Sequence, residues 1–261
     1  MLLEQKNAVI YGAGGAVGGA VARAFAREGA RVFLAGRTVA TLDVVAHAIV
    51  QAGGSAEAAV VDALDQNAVE RHLSDVIHKT GRVDISFNAI SIGYQLGAPL
   101  AEMSLEEFAP AIGDAMRTQF ITTTAAARQM ITQHAGVILA ITATPARMFV
   151  PDSGNLGVAG AAIERLCRQL AGELGPHGVR VVCLRSAGSP DAPVLQRVLA
   201  YQGAQAGISA AEFEARVAER SMLKRMPKLA EVANAAVLTA SEYASGMTGT
   251  VANVTCGEAA D

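Results

Sequence analysis

Between Gly136 and Arg180 this chain has no tyrosine and no lysine, so that stretch offers neither a phenol nor an ammonium group as an acid or base. Cysteine is scarce as well. The three thiols, Cys167, Cys183 and Cys256, lie far apart and form no CxxC, which speaks against a disulfide framework and reads as buried thiols in a reducing compartment. No apolar run reaches the roughly 18 residues of a membrane span, although the mean hydropathy is +0.31. Alanine in short helical and strand segments supplies most of that excess, as expected of helices packing on a sheet. The net charge is −3 and the two signs are interspersed, so neither a nucleic-acid patch nor an anionic-membrane surface is expected. MLLEQKNAVIYG has no basic region followed by an apolar core and a small-residue cleavage site. These absences together describe a soluble, cytoplasmic protein. His47, His72, His78, His134 and His177 show no paired ligand spacing, so they read as surface histidines and no metal site is expected.

What the chain does have is regular alternation. Strand-like runs at Ala8–Tyr11, Arg31–Ala35, Ala58–Val61, Asp84–Asn88, Gly136–Ile141, Arg180–Leu184 and Val251–Val254 are separated by helix-period segments such as AVARAFAREG and AIERLCRQLAGELG. Several of these segments end in a glycine that suits a left-handed helix stop. Crossovers of this length imply a Rossmann-type, doubly wound parallel sheet of about seven strands with helices on both faces. At 261 residues the chain is expected to form one such domain over 1–261. The irregular insertion at Ser189–Pro227 carries two helical patterns, VLQRVLAYQGAQ and AAEFEARVAERSMLK. It reads either as a small helical lid over the carboxyl ends of the strands or as an ordinary surface hairpin.

The opening stretch, Ala8 to Arg37, is a strand, a glycine-rich turn, an amphipathic helix and a second strand. Gly12, Gly14, Gly15 and Gly18, with Ala16 and Val17 opening the helix, permit a tight turn and close backbone approach to a pyrophosphate favoured by the helix N-terminus. A glycine-rich turn that holds no ligand is the plainer alternative. At the end of the second strand, where NAD-preferring sites carry a carboxylate, stand Gly36, Arg37 and Thr38. An arginine there attracts a 2′-phosphate, so NADP(H) is expected over NAD(H). The alternative leaves Arg37 solvated and makes Thr38 the cap of the next helix.

With these residues in view, the chain resembles the short-chain dehydrogenase/reductase family over essentially its whole length. The family's T-G-x3-G-x-G turn appears as Tyr11-Gly12-Ala13-Gly14-Gly15-Ala16-Val17-Gly18. Asp62 matches an adenine-contacting aspartate. The N-N-A-G signature appears as Phe87-Asn88-Ala89-Ile90, and SEYASGMTGTVANVTCGE is similar to the family's last helix, turn and strand. The resemblance implies a nicotinamide cofactor held by Gly12, Gly14, Gly15, Ala16, Val17, Gly18, Arg37, Thr38, Asp62, Asn88 and Ala89, and a small-molecule substrate. It also implies a homo-oligomer, dimer or tetramer, through long helices around 104–133 and 153–174.

The family's catalytic asparagine, serine, tyrosine and lysine do not carry over. Their places fall on Ala115, Ala143, Leu156 and Gly160, none of which can move a proton. No Tyr-x3-Lys or Tyr-x6-Lys occurs between Gly136 and Arg180 to correct the alignment. Candidate replacements are Asp152, Thr144, Thr142 and Tyr94. If the fifth strand persists through Thr142 and Thr144, both point away from the site. Asp152 also reads, more plainly, as a carboxylate stabilised at a helix N-terminus. The helix from Leu156 to Leu174 keeps an apolar face of Leu156, Ala159, Ile163, Leu166, Leu170 and Leu174, which with Gly157 and Gly160 suits close approach to a second copy. Three functions remain: an NADP(H)-dependent oxidoreductase with an atypical proton donor, a cofactor-binding partner or sensor without turnover, and a non-redox enzyme on the same scaffold.

Overall fold

Apolar residues dominate both faces of the central strands, and this governs how the chain folds. The structure, a computed structural model, describes residues 1–91, 93, 99–151 and 153–260. Its strands are β1 (Asn7–Tyr11), β2 (Arg31–Gly36), β3 (Ser55–Val60), β4 (Ile85–Asn88), β5 (Gly136–Ala143), β6 (Val179–Ser186) and β7 (Thr250–Val254). Between them run α1 (Ala16–Arg27), α2 (Val39–Gln51), α3 (Gln66–Thr80), α4 (Leu105–Gln133), α5 (Leu156–Leu174), α6 (Pro193–Gln205), α7 (Ala210–Arg220) and α8 (Leu229–Ala240). The strands form one parallel sheet in the order β3-β2-β1-β4-β5-β6-β7.

Successive residues of each strand serve two separate cores. Val9, Ile138 and Cys183 pack with Val69, Ala126 and Ile163 of α3, α4 and α5. Ala8, Leu34 and Leu139 pack with Phe25, Val45 and Val237 of α1, α2 and α8. Covering both faces explains why β1 and β4 are continuously buried instead of alternating. Strand order reverses between β1 and β4, which opens a crevice at their carboxyl ends.

Several details differ from the sequence reading. The third strand starts earlier, at Ser55, because Arg31 and Lys79 pair with Glu57 and let a charged residue sit in an edge strand. The sixth runs on through Arg185, which is fully buried. Gly29, Gly53 and Gly81 take the left-handed conformation at helix ends, but Gly175 leads into a 3-10 turn and Gly178 takes it instead. His72 is not a surface residue. It is buried on α3, edge-on to the Tyr11 ring at 6.4 Å between centroids, and burial lowers its pKa. Cys167 and Cys183 are buried, whereas Cys256 is partly exposed. Among the described residues no helix is long and apolar enough to cross a membrane.

Candidate active site

At the β1–β4 crevice the chain turns sharply after Tyr11. Gly12 has φ +76°, and a Cβ there would lie 2.7 Å from the Ala89 carbonyl oxygen, so both the turn and the neighbouring strand end require glycine. α1 then begins with no side-chain cap and no acidic residue in its first turn. Its leading N–H groups are therefore free for an anion. Gly12, Gly14, Gly15, Ala16 and Val17 line a cavity of about 840 Å³, within the range of small-molecule sites. Gly18 does not line it; a Cβ there would collide with the Gly12 carbonyl, so its role is to let α1 pack close beneath the turn.

Arg37 and Thr38, after β2, and Asp62, after β3, line one end of the same cavity. Arg37 is exposed and has no carboxylate partner among the described residues. Thr38 stands at the start of α2 but its side chain makes no capping bond. The Asp62 carboxylate accepts from the Leu64 N–H at 3.0 Å, which fixes it at the cavity edge. Ala89 lines the middle of the cavity, but Asn88 does not. The Asn88 amide is spent on structure: it donates to the Thr118 carbonyl and the Thr122 hydroxyl and accepts from the Ile90 N–H, tying β4 to α4.

Ala115, Ala143 and Leu156 also line the cavity, and Gly160 does not. A Cβ on Gly160 would sit 2.9 Å from the Ala146 Cβ, so that face of α5 is closed against the 3-10 turn Thr144–Ala146. Much of the apolar face of α5 is turned into this chain itself. Ala159, Ile163, Leu170 and Leu174 are buried in this chain's own core, and Val158 is the exposed apolar side chain instead.

β5 persists through Ala143, so Thr142 remains on the strand. Its hydroxyl donates to Glu164 at 3.0 Å, and Glu164 receives the buried Arg185 guanidinium. Thr142 borders the cavity, yet its proton is committed behind the wall. Thr144 lies beyond the strand, at the start of the 3-10 turn, and lines the cavity too. Tyr94 and Asp152 lie outside the described residues. Asn155, fully buried, donates to the Glu107 and Phe108 carbonyls and anchors the start of α5 on α4.

The opposite end of the cavity is walled by α6 and α7, with Leu195, Val198, Leu199, Phe213 and Val217 making an apolar surface. The sequence reading passed over one candidate side chain here. Glu258 follows β7 and lines this end, with Thr144 beside it. Its Oε2 is buried and has no hydrogen-bond partner among the described residues. Burial pushes its pKa up, and the Thr144 hydroxyl and the Arg220 charge pull it back by less. The loop that carries it is held by Asn253, whose amide donates to the Ala259 carbonyl at 2.6 Å. In the sequence Glu258 is a lone acid after a glycine, and only the return of the chain from β7 brings it to Thr144.

Comparison with known proteins agrees with this fold. Residues 12–258 match the family described as enoyl-(acyl carrier protein) reductase. The chain is 30% identical to an uncharacterized oxidoreductase of Mycobacterium tuberculosis, over 95% of this chain and 89% of that protein. It is 28% identical to gluconate 5-dehydrogenase of Gluconobacter oxydans, over 95% and 93%. The crystal structure of an NAD+-bound xylitol dehydrogenase shares the fold, with a TM-score of 0.91 at 23% identity over 98% of this chain and all (100%) of the other.

Proposed function

The chain belongs to the short-chain dehydrogenase/reductase family, and on that premise we propose that it is an NADP(H)-dependent oxidoreductase that interconverts a small apolar carbonyl compound and its alcohol. The observation that carries this reading is one cavity lined both by the glycine turn at Gly12–Gly15 and by the apolar side chains of α6 and α7. The residues present fit a dinucleotide. Gly14, Gly15, Ala16 and Val17 would hold the pyrophosphate, Asp62 the adenine side, and Ala89 the middle of the ligand. Arg37, at the cavity edge and with no carboxylate partner among the described residues, would take the 2′-phosphate, which supports NADP(H) over NAD(H). A bound nicotinamide supplies a hydride to a carbonyl carbon or accepts one from an alcohol.

The chain's own part is to orient the substrate, exclude water and handle one proton. With Ala115, Ala143, Leu156 and Gly160 at the places of the family's asparagine, serine, tyrosine and lysine, that proton comes from elsewhere. The segment 189–227, with α6 and α7, serves as the lid that keeps this end dry. The reading extends to a homo-oligomer through α4 and α5, whose exposed Phe120 and Val158 supply apolar surface. The deciding experiment is calorimetric titration of purified protein, stripped of nucleotide, with NADPH and with NADH. Tight NADPH binding and weak NADH binding support the reading; no binding of either removes it.

A further inference from the structure

Whatever replaces the missing phenol must be ionisable, reach the cavity, and both give a proton and take it back. Among the described residues, the ionisable side chains lining the cavity are Tyr11, Arg37, Asp62, Asp114, Arg220 and Glu258. The arginines do not release protons. The Tyr11 hydroxyl, at the end of β1 against His72, is also without a hydrogen-bond partner among the described residues, but burial raises its pKa so far that it cannot act as the returning base. Asp62 lies at the Arg37 end, with an oxygen bound to the Leu64 N–H. Asp114 is exposed on α4.

That leaves Glu258. It shares its end of the cavity with Thr144, the residue after Ala143, and with the apolar walls of α6 and α7. A buried carboxyl oxygen with no partner among the described residues is uncommon, and here it borders a space that a ligand oxygen can enter. We propose that Glu258 is the catalytic acid and base of this cavity, giving its proton to the oxygen of a bound apolar ketone or aldehyde and taking it back from the alcohol. This deepens the oxidoreductase reading and rests on it.

In reduction, the carbonyl carbon accepts the hydride while the C=O π pair takes the Glu258 proton and becomes the O–H bond. The Glu258 carboxylate then recovers a proton from water. In oxidation the carboxylate removes the hydroxyl proton as the hydride leaves the carbon. Two groups near Glu258 modulate this among the described residues. The Thr144 hydroxyl, from the turn after β5, and the Arg220 guanidinium, from α7, both favour the carboxylate and keep it from being protonated irretrievably. The walls of the cavity favour the acid by withholding water.

The test uses the full chain, NADP+ and 2-decanone labelled with 13C at its carbonyl. Infrared difference spectra report the carbonyl stretch of the bound ketone, and calorimetry on the same samples reports NADP+ binding. Expected for the wild type is a downshifted stretch that is lost as pH rises through the Glu258 titration. Glu258→Gln should bind NADP+ within twofold of wild type but lose the pH dependence of the stretch. Its reduction of the ketone by NADPH should fall roughly hundredfold or more in kcat with KM little changed, the scale of general acid catalysis. Glu258→Asp, which keeps the acid on a shorter arm, should recover part of the pH-dependent shift. A stretch with the same pH response in wild type and Glu258→Gln, or none in either while NADP+ binds, overturns the role of Glu258 alone. Failure of both proteins to bind NADP+ overturns the cofactor reading with it.

Discussion

The Arg185 guanidinium, fully buried at the end of β6, holds both carboxylate oxygens of Glu164 on α5, at 2.9 and 2.8 Å. Thr142 adds a third bond from β5, so one carboxylate joins two strands and a helix immediately behind the cavity wall. Removing one partner of a buried pair costs far more than the pair contributes, because it strips charge-assisted hydrogen bonds from groups that water does not reach. Glu164→Ala is therefore expected to lower the unfolding free energy by about 3–5 kcal/mol. Urea unfolding measures it, and a loss below about 1 kcal/mol, the scale of a surface pair, would refute the structural role.

Arg37 should discriminate between the two nicotinamide dinucleotides. A charge-assisted hydrogen bond is worth about 1.5–3 kcal/mol, which corresponds to roughly tenfold to hundredfold in affinity. Arg37→Asp should weaken NADPH binding by at least that lower factor and leave NADH unchanged or tighter. Calorimetry on both ligands decides it. Equal losses would show that Arg37 does not meet the 2′-phosphate.

Gly12 combines two demands at one position. Its φ of +76° is unfavourable for any L side chain, and the atom an added Cβ would strike is a backbone carbonyl that cannot swing away. Gly12→Ala should cost about 1–3 kcal/mol of stability and abolish NADPH binding, since relief of the clash spreads β1 from β4. Wild-type stability together with wild-type binding would contradict this geometry.

How far the sequence carried the reading depends on the range of each interaction. The glycine turn from Gly12 to Gly18 and the strand–helix alternation are local patterns, and they predicted the parallel sheet correctly. Arg185 misled because a charge after Leu184 looks like a strand end; Glu164, which neutralises it, lies a whole helix away. The apolar stripe from Leu156 to Leu174 was visible, but periodicity says only that a face is covered and not by which partner. Here the covering partner is this chain's own core. Glu258 was the hardest residue to find. Its proposed role rests on proximity to Thr144, and that proximity exists only once β7 has closed the sheet.

The raised pKa of Glu258 should also be visible in stability, without any ligand. Below its ordinary pKa of 4.5 the carboxyl is protonated in both the folded and unfolded chains and has no pH-linked effect. As pH rises above that value, the unfolded chain releases the proton while the folded chain still holds it, so the folded state loses relative stability. The loss stops growing once pH exceeds the folded pKa. Glu258→Gln cannot ionise and escapes this loss. Urea unfolding of the two proteins between pH 4 and 8 should therefore show a gap that opens with pH in favour of the variant. A gap that is constant, or that opens in favour of the wild type, would mean that burial does not favour the protonated acid.

Restoring a longer side chain at Gly160 should fail for a reason of packing. Leu156 faces the cavity and has room to change, so Leu156→Tyr should be tolerated. Gly160 instead faces Ala146, and any Cβ there arrives 2.9 Å from the Ala146 methyl. Overpacking of this kind costs about 1–3 kcal/mol, while replacing glycine in a helix gains about 1 kcal/mol in propensity. Gly160→Ala alone therefore sums two opposing effects, and its sign is a poor test. The double-mutant cycle with Ala146→Gly separates them, because that change removes the methyl and leaves the propensity gain intact. Gly160→Ala should be more favourable in the Ala146→Gly background than in the wild type by about 1 kcal/mol or more. Additive effects in the cycle would show that α5 and the turn at Thr144–Ala146 are not in contact as described, and that a lysine could be accommodated after all.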